Sequence, residues 1–259
     1  TGGEPLLRRD FKDIYCHAKK NGLLITVFTN GTLINERILD LFSDFPPKAV
    51  EITLYGSSKQ TYESITGING SFEKCIKAIN SLKERHINVK IKTVLMNLNQ
   101  HEFFNIENMA AQLDVKFRFD AAIFPTLNGD QAPLGLRVKA RDAVDIEFSD
   151  KNRVKEWADL FRRFRDSSEK DKLYICGAGK NHFHIDPYGK LQPCQMVTNL
   201  KYNLINGDFS TGWKEISQNL DERKPKSGNI CNTCEKRTLC GYCPGFFNLE
   251  KVDEEIHSE

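Results

Sequence analysis

The chain has 259 residues, 39% hydrophobic and 28% charged, enough to bury a sizeable core in one large domain or two smaller ones. Its 37 Lys and Arg against 35 Asp and Glu leave a formal net charge of +2. That balance removes the electrostatic case for nucleic acid or an anionic membrane as partner. The apolar run Leu23 to Phe28 is strand-sized, well short of the roughly 20 residues of a spanning helix, and no secretory signal is legible. The opening Thr1-Gly2-Gly3-Glu4-Pro5 has no initiator Met and starts inside what reads as a functional turn. A fragment of a longer protein is therefore expected.

In chain order, Leu6 to Asn21 has helical periodicity, with Leu7, Phe11, Ile14, Tyr15 and Ala18 on one face and Gly22 ending it. Leu23 to Thr29 reads as a strand and Thr29-Asn30-Gly31 as a turn, followed by a helix from Asn35 to Phe45 stopped by Pro46-Pro47. Val50 to Tyr55 is the next strand, and Ser71 is expected to cap a helix reaching Arg85. Asn88 to Leu95 is a strand, His101 to Leu113 a helix and Val115 to Asp120 another strand. Strands alternating with helices imply a parallel sheet with right-handed crossovers. Residues 121–150 show little periodicity, Lys151 to Arg165 is helical, and short strands and turns follow from Tyr174.

The strands alternate apolar residues with Glu51, Thr53 and Tyr55, with Lys90 and Lys92, and with Lys116, Arg118 and Asp120. Parallel strands covered on both faces read as nearly continuous apolar runs. Two readings remain: helices outside and a polar, ligand-holding lumen inside, or a sheet covered on one side with its charges in water.

Of eight cysteines, Cys16 and Cys75 stand alone; Cys75 shares a helical stripe with Phe72, Ile76, Ile79 and Leu82 and reads as a small core residue. Cys176, Cys194, Cys231, Cys234, Cys240 and Cys243 crowd into the last third. Between Cys176 and Cys194, His184 to Leu191 reads as a hairpin around a Pro/Gly turn, which would bring those two cysteines together. Thiolates gathered in this way ligate zinc or iron–sulfur clusters. A zinc ribbon over Cys231 to Cys243 would leave Cys176 and Cys194 unexplained. His182 and His184 read as surface or packed histidines.

The Gly2-Gly3-Glu4-Pro5 turn, Thr29-Asn30-Gly31 and the Cys-x12-Gly-x4-Cys…Cys-x2-Cys-x5-Cys array together resemble a radical S-adenosylmethionine enzyme with a C-terminal SPASM domain. The resemblance implies an α/β fold: a partial (β/α)6 barrel, truncated at its N-terminus, over residues 1–122, a bridging segment and helix over 123–172, and a cysteine-rich α+β SPASM domain over 173–259. It implies S-adenosylmethionine and [4Fe–4S] clusters as cofactors, one or two auxiliary clusters lying in this chain. By position, Gly2, Gly3, Glu4 and Pro5 correspond to the turn holding the cofactor's methionine amino group, and Thr29 and Asn30 to the lining of the same site. Thr53, Tyr55 and Ser57 occupy the end of the strand that, in relatives, faces the cofactor's ribose and carboxylate. Cys176, Cys194 and Cys243 match ligands of a first auxiliary cluster, and Cys231, Cys234 and Cys240 of a second.

Three features depart from the family. Its Cys-x3-Cys-x2-Cys loop for the radical-generating cluster precedes the Gly-Gly-Glu-Pro turn and has no counterpart in this sequence. Cys240 and Cys243 are separated by two residues rather than three, and no cysteine follows Cys243. The expected activity is peptide or protein modification by the parent enzyme, with the piece alone inactive, an external reductant such as flavodoxin or ferredoxin, and a cytoplasmic location. Sulfatase-maturing relatives carry Asp where this chain has Gln195, which argues against that branch. The alternatives are a non-catalytic zinc- or peptide-binding scaffold and a radical enzyme acting on a small molecule or cofactor precursor. No catalytic base is assignable.

Overall fold

The structure, a computed structural model, describes residues 3–164, 172–225, 231, 234, 236–237 and 243–250. The chain divides into two compact units, residues 1–123 with 136–139, and residues 124–135 with 140–259.

In the first unit, a 3-10 turn at Pro5–Leu7 leads to α1 (Phe11–Lys20), β1 (Thr26–Thr29), α2 (Glu36–Asp44) and β2 (Ala49–Thr53). Then come α3 (Lys59–Thr66), α4 (Ser71–Glu84), β3 (Val89–Val94), α5 (Phe103–Gln112) and β4 (Lys116–Asp120). The strands form one parallel sheet in the order β1-β2-β3-β4. Parallel neighbours cannot be joined by a tight hairpin, so each connection carries helix. Asn35 caps α2 through Ile38 N–H, and Ser58 caps α3 through Thr61 N–H. Helix α3 lies in a stretch to which the sequence reading assigned no element. Its eight residues are too few to show a periodic stripe, although the Ser58 cap and the left-handed Gly67 end are both present. Ser71 is not the cap of α4. That position is Gly70, at φ 76°, while Ser71 is buried and its hydroxyl donates to the carbonyl of Ile68.

Register decides the faces, because residues paired across parallel strands point the same way. Thr29, Ile52, Ile91 and Phe117 form one row, and Val27, Val50 and Val89 another. This face packs against Phe42, Tyr62, Cys75, Ile79, Leu82 and Ile106 from the helices. Burial pushes the Cys75 thiol up to about 11, the behaviour of a core residue. The opposite face carries Phe28, Glu51, Lys90 and Lys116 in one row and Thr53, Lys92 and Arg118 in the next. The helix-covered apolar face and the charged face are thus separated residue by residue, as the alternation required.

The second unit contains α6 (Ala140–Glu147), α7 (Lys151–Phe164), a three-stranded antiparallel sheet of β5 (His184–Ile185), β6 (Lys190–Gln192) and β7 (Tyr202–Asn203), then α8 (Phe209–Glu222) and α9 (Pro244–Leu249). Helices α6 and α8 lie where the sequence reading assigned none; α6 buries none of its residues, so its apolar stripe is weak. The β5–β6 hairpin forms where expected. Its turn is closed by the Asp186 carboxylate, which accepts from Tyr188 and Lys190 N–H, and by Gly189 at φ 74°. Leu173, Tyr174, Ala178, Val197 and Leu220 make a small core.

Ile91 is fully buried in the central row of the sheet. Ile91→Ala should lower stability of the first unit by about 2–5 kcal/mol, measured by denaturant unfolding. A loss below about 0.5 kcal/mol would contradict this core assignment.

Candidate functional site

The carboxyl ends of the parallel strands are where loops and ligands meet in such sheets, and here two carboxylates organise them. At the end of β1, Glu4 Oε1 accepts from the Leu6 N–H (3.1 Å) and the Thr29 hydroxyl (2.7 Å), while Oε2 accepts from the Asn30 N–H (2.7 Å). Thr29 Oγ1 in turn accepts from the Gly31 N–H at 3.1 Å, and Asn30 Oδ1 accepts from both the N–H and the hydroxyl of Thr32. Gly31 sits at φ 78°, and a β-carbon there would lie 3.3 Å from the Ala78 side chain. Both the turn conformation and the packing thus favour glycine. Glu4, 25 and 26 residues away in sequence, is brought into hydrogen bonding with Thr29 and Asn30. Pro5 opens the 3-10 turn beside it. Nothing lies within 4 Å of where a Gly3 β-carbon would be, so backbone there is open to approach. Gly2 lies outside the described residues.

At the end of the adjacent strand β2, Glu102 reaches across from the connection after β3. Its carboxylate accepts from Ser57 N–H (2.6 Å) and hydroxyl (3.0 Å), Ser58 N–H (3.1 Å) and hydroxyl (2.5 Å), and the Thr61 hydroxyl (2.6 Å). Burial works to raise its pKa. The hydrogen bonds from Ser58, Thr61 and Ser57 outweigh that and hold the carboxyl down at about 2. The His101 imidazole, exposed, is 3.9 Å away. Asn99, buried, completes the brace: its amide donates to the Tyr55 and Val94 carbonyls, and its Oδ1 accepts from Met96 N–H. The loop with Tyr55 and Ser57 is thereby fixed to the β3–α5 connection. Ser57 spends both its N–H and hydroxyl on Glu102. Tyr55 is half-buried against Tyr62, and burial raises its phenol. Thr53 ends β2, its carbonyl 4.0 Å from the Cys75 sulfur.

Asn99 and Glu102 were not among the residues expected from sequence. The signal was present as Asn99-x2-Glu102 just ahead of the α5 pattern, but its target, Ser57 to Thr61, is more than forty residues away in sequence.

In the second unit, the Cys194 and Cys243 thiols are both pushed up by burial. The Cys176 thiol raises each of them further, and Cys194 raises Cys243, so these three cysteines sit within electrostatic reach of one another. Cys231 and Cys234 share one turn, closed by Cys234 N–H donating to the Cys231 carbonyl at 3.3 Å. The buried Arg237 donates through Nη2 to the Lys172 carbonyl at 2.7 Å. It ties the Cys-x2-Cys turn to the segment leading into Cys176. Cys240 lies outside the described residues. Among the described residues no three His, Cys, Asp or Glu side chains close on a common metal position as they stand. The donor set is nevertheless all thiol, gathered in one unit, and suits an iron–sulfur cluster better than a hard cation. His182 is exposed and His184 half-buried.

Glu102→Gln should lower stability at neutral pH by about 2 kcal/mol. The native carboxyl is depressed, so its contribution is present above the ordinary carboxyl value of 4.5 and is lost as pH falls toward about 2. The gap in melting temperature between the native chain and the variant should therefore close across that window. A pH-independent gap would contradict the assignment.

Residues 1–110 match the family model of the Radical SAM superfamily. Among curated proteins, the AdoMet-dependent heme synthase of Methanosarcina barkeri is 23% identical over 94% of this chain and 75% of its own length. The mycofactocin maturase MftC of Mycobacterium tuberculosis is 25% identical over 92% of this chain. The chain spans 63% of that maturase. Among solved structures, Streptococcus suis SuiB bound to S-adenosylmethionine superposes with a TM-score of 0.74 at 16% identity, covering all of this chain and 64% of SuiB. SuiB has also been solved bound to its precursor peptide SuiA.

Proposed function

We propose that this chain, whose residues 1–110 match the Radical SAM superfamily model, is part of a radical S-adenosylmethionine maturase that modifies a peptide. The observation that carries the reading is the joining of the Glu4 turn to Thr29 and Asn30 at the carboxyl edge of a parallel sheet. The electrostatic reach between Cys176, Cys194 and Cys243 in the second unit supports it as well. In this reading Gly2, Gly3, Glu4, Pro5, Thr29 and Asn30 hold the methionine end of the cofactor, and Thr53, Tyr55 and Ser57 line its ribose side. Glu102 and Asn99 keep the second group in place. Hydrogen abstraction from the substrate through a 5′-deoxyadenosyl radical is the chemistry that S-adenosylmethionine and a reduced [4Fe–4S] cluster supply.

Cys176, Cys194 and Cys243 are assigned to one auxiliary cluster and Cys231, Cys234 and Cys240 to a second, in a SPASM domain following the barrel. A flavodoxin or ferredoxin serves as reductant, and the setting is the cytoplasm. Among the described residues no helix is long and apolar enough to cross a membrane. Named relatives support a peptide substrate: MftC is a maturase, and SuiB binds a precursor peptide. The heme synthase relative, of which this chain covers 75%, favours a second reading, a tetrapyrrole substrate.

The two readings are separated by incubating the complete gene product, purified without oxygen, with S-adenosylmethionine and a reductant. A short peptide encoded beside the gene and an iron-free tetrapyrrole are offered in parallel. The peptide is expected to change mass while 5′-deoxyadenosine accumulates. Conversion of the tetrapyrrole alone would overturn the peptide reading.

A further inference from the structure

The charged face of the parallel sheet has an imbalance that its own side chains do not resolve. Lys90 pairs in register with Lys116, and Lys92 with Arg118. Strands in a sheet lie about 4.8 Å apart, so two like-charged pairs sit side by side on one face, an arrangement that costs stability. Two carboxylates answer the second pair. Glu51, only 5% exposed, accepts from Arg118 Nε at 3.1 Å and also from its Nη2. Asp120 lies 3.9 Å from the Lys92 ammonium. Neither acid is within ion-pair distance of Lys90 or Lys116, and among the described residues no other acid is either. Lys90 is half-buried and Lys116 exposed, and Phe28, in the same row, is 46% exposed. The face therefore presents four cations, and the one carboxylate in register with Lys90, Glu51, is engaged by Arg118.

We infer that Lys90 and Lys116 form a carboxylate-binding subsite for an acidic side chain of the substrate peptide. The charge complementarity specifies an anion. The two lysines lie about 7 Å further from the carboxyl edge than Lys92 and Arg118, so they face a group that projects down the sheet rather than one bound at the rim. The identity of the ligand as a peptide rests on the proposed function; the anion site itself rests on the register and the ion pairs.

The test is fluorescence anisotropy with the full chain and a labelled Gly-Glu-Gly-Glu-Gly peptide, against the same peptide with Gln for Glu. The Glu peptide is expected to bind about tenfold more tightly, roughly the worth of two partly exposed ion pairs, and the preference should weaken with salt. The double substitution Lys90→Gln with Lys116→Gln should abolish the preference. Lys12→Gln with Lys74→Gln, on exposed helix surface, should leave it intact. No preference for Glu would overturn the inference, leaving a solvated face whose lysines guard a sheet edge. A preference that survives the Lys90 and Lys116 substitutions would overturn it equally, as would a carboxylate-bearing tetrapyrrole that binds through these lysines where the peptide does not. Iron and sulfide, assayed on the same preparation, keep the two claims apart. A cluster-loaded chain without the preference sinks only the subsite, whereas a chain that refuses iron sinks only the proposed function.

Discussion

The carboxyl edge of the parallel sheet is held by two carboxylates, Glu4 and Glu102, that are satisfied chiefly by backbone N–H and hydroxyl donors. In-register parallel pairing delivers the ends of β1 and β2 to the same edge, but it says nothing of how the loops beyond them are shaped. Glu4 draws the N-terminal turn onto Thr29 and Asn30, and Glu102 gathers Ser57, Ser58 and Thr61. A buried carboxylate surrounded by neutral donors has little freedom to relax, because each lost bond leaves a polar atom unpaired. The loops at this edge are therefore held in one arrangement by neutral donors.

The same sheet explains how one short α/β layer keeps two incompatible chemistries apart. Its even register sends Val50, Ile52, Val89 and Ile91 beneath the helices and Glu51, Lys90, Lys92 and Arg118 to the opposite side. The apolar face supplies the stability. The charged face is free to serve recognition, and the buried Glu51 under Arg118 keeps part of it organised before anything binds.

Much of this was legible in the sequence for a simple reason: it is periodic or local. The four strands fall within a few residues of the runs read from alternation, and Cys75 takes the core position its helical stripe gave it. The β5–β6 hairpin follows from Pro187 and Gly189. The Glu4 turn and Thr29-Asn30 were singled out by resemblance, and their meeting is a contact between residues 25 and 26 positions apart. What escaped is non-local or too short to carry a pattern. Helix α3 has eight residues, α6 buries none, and the Glu102 brace joins loops 41 to 45 residues apart. Ser71 was misassigned because a serine before a helical run resembles a cap, whereas Gly70 takes the capping position in a left-handed conformation.

The second unit carries six of the chain's eight cysteines. Among the described residues five buried side chains make its small core, and Arg237 ties its own segment to the one leading into Cys176. The proposed function stands on what those thiols bind. The most direct measurement is the iron, acid-labile sulfide and zinc content of the chain expressed and reconstituted without oxygen, with its absorption spectrum. The account predicts about four to eight irons with matching sulfide and broad charge-transfer absorption near ~400 nm. One or two zinc ions with no iron would contradict it and leave a zinc-bound scaffold in its place.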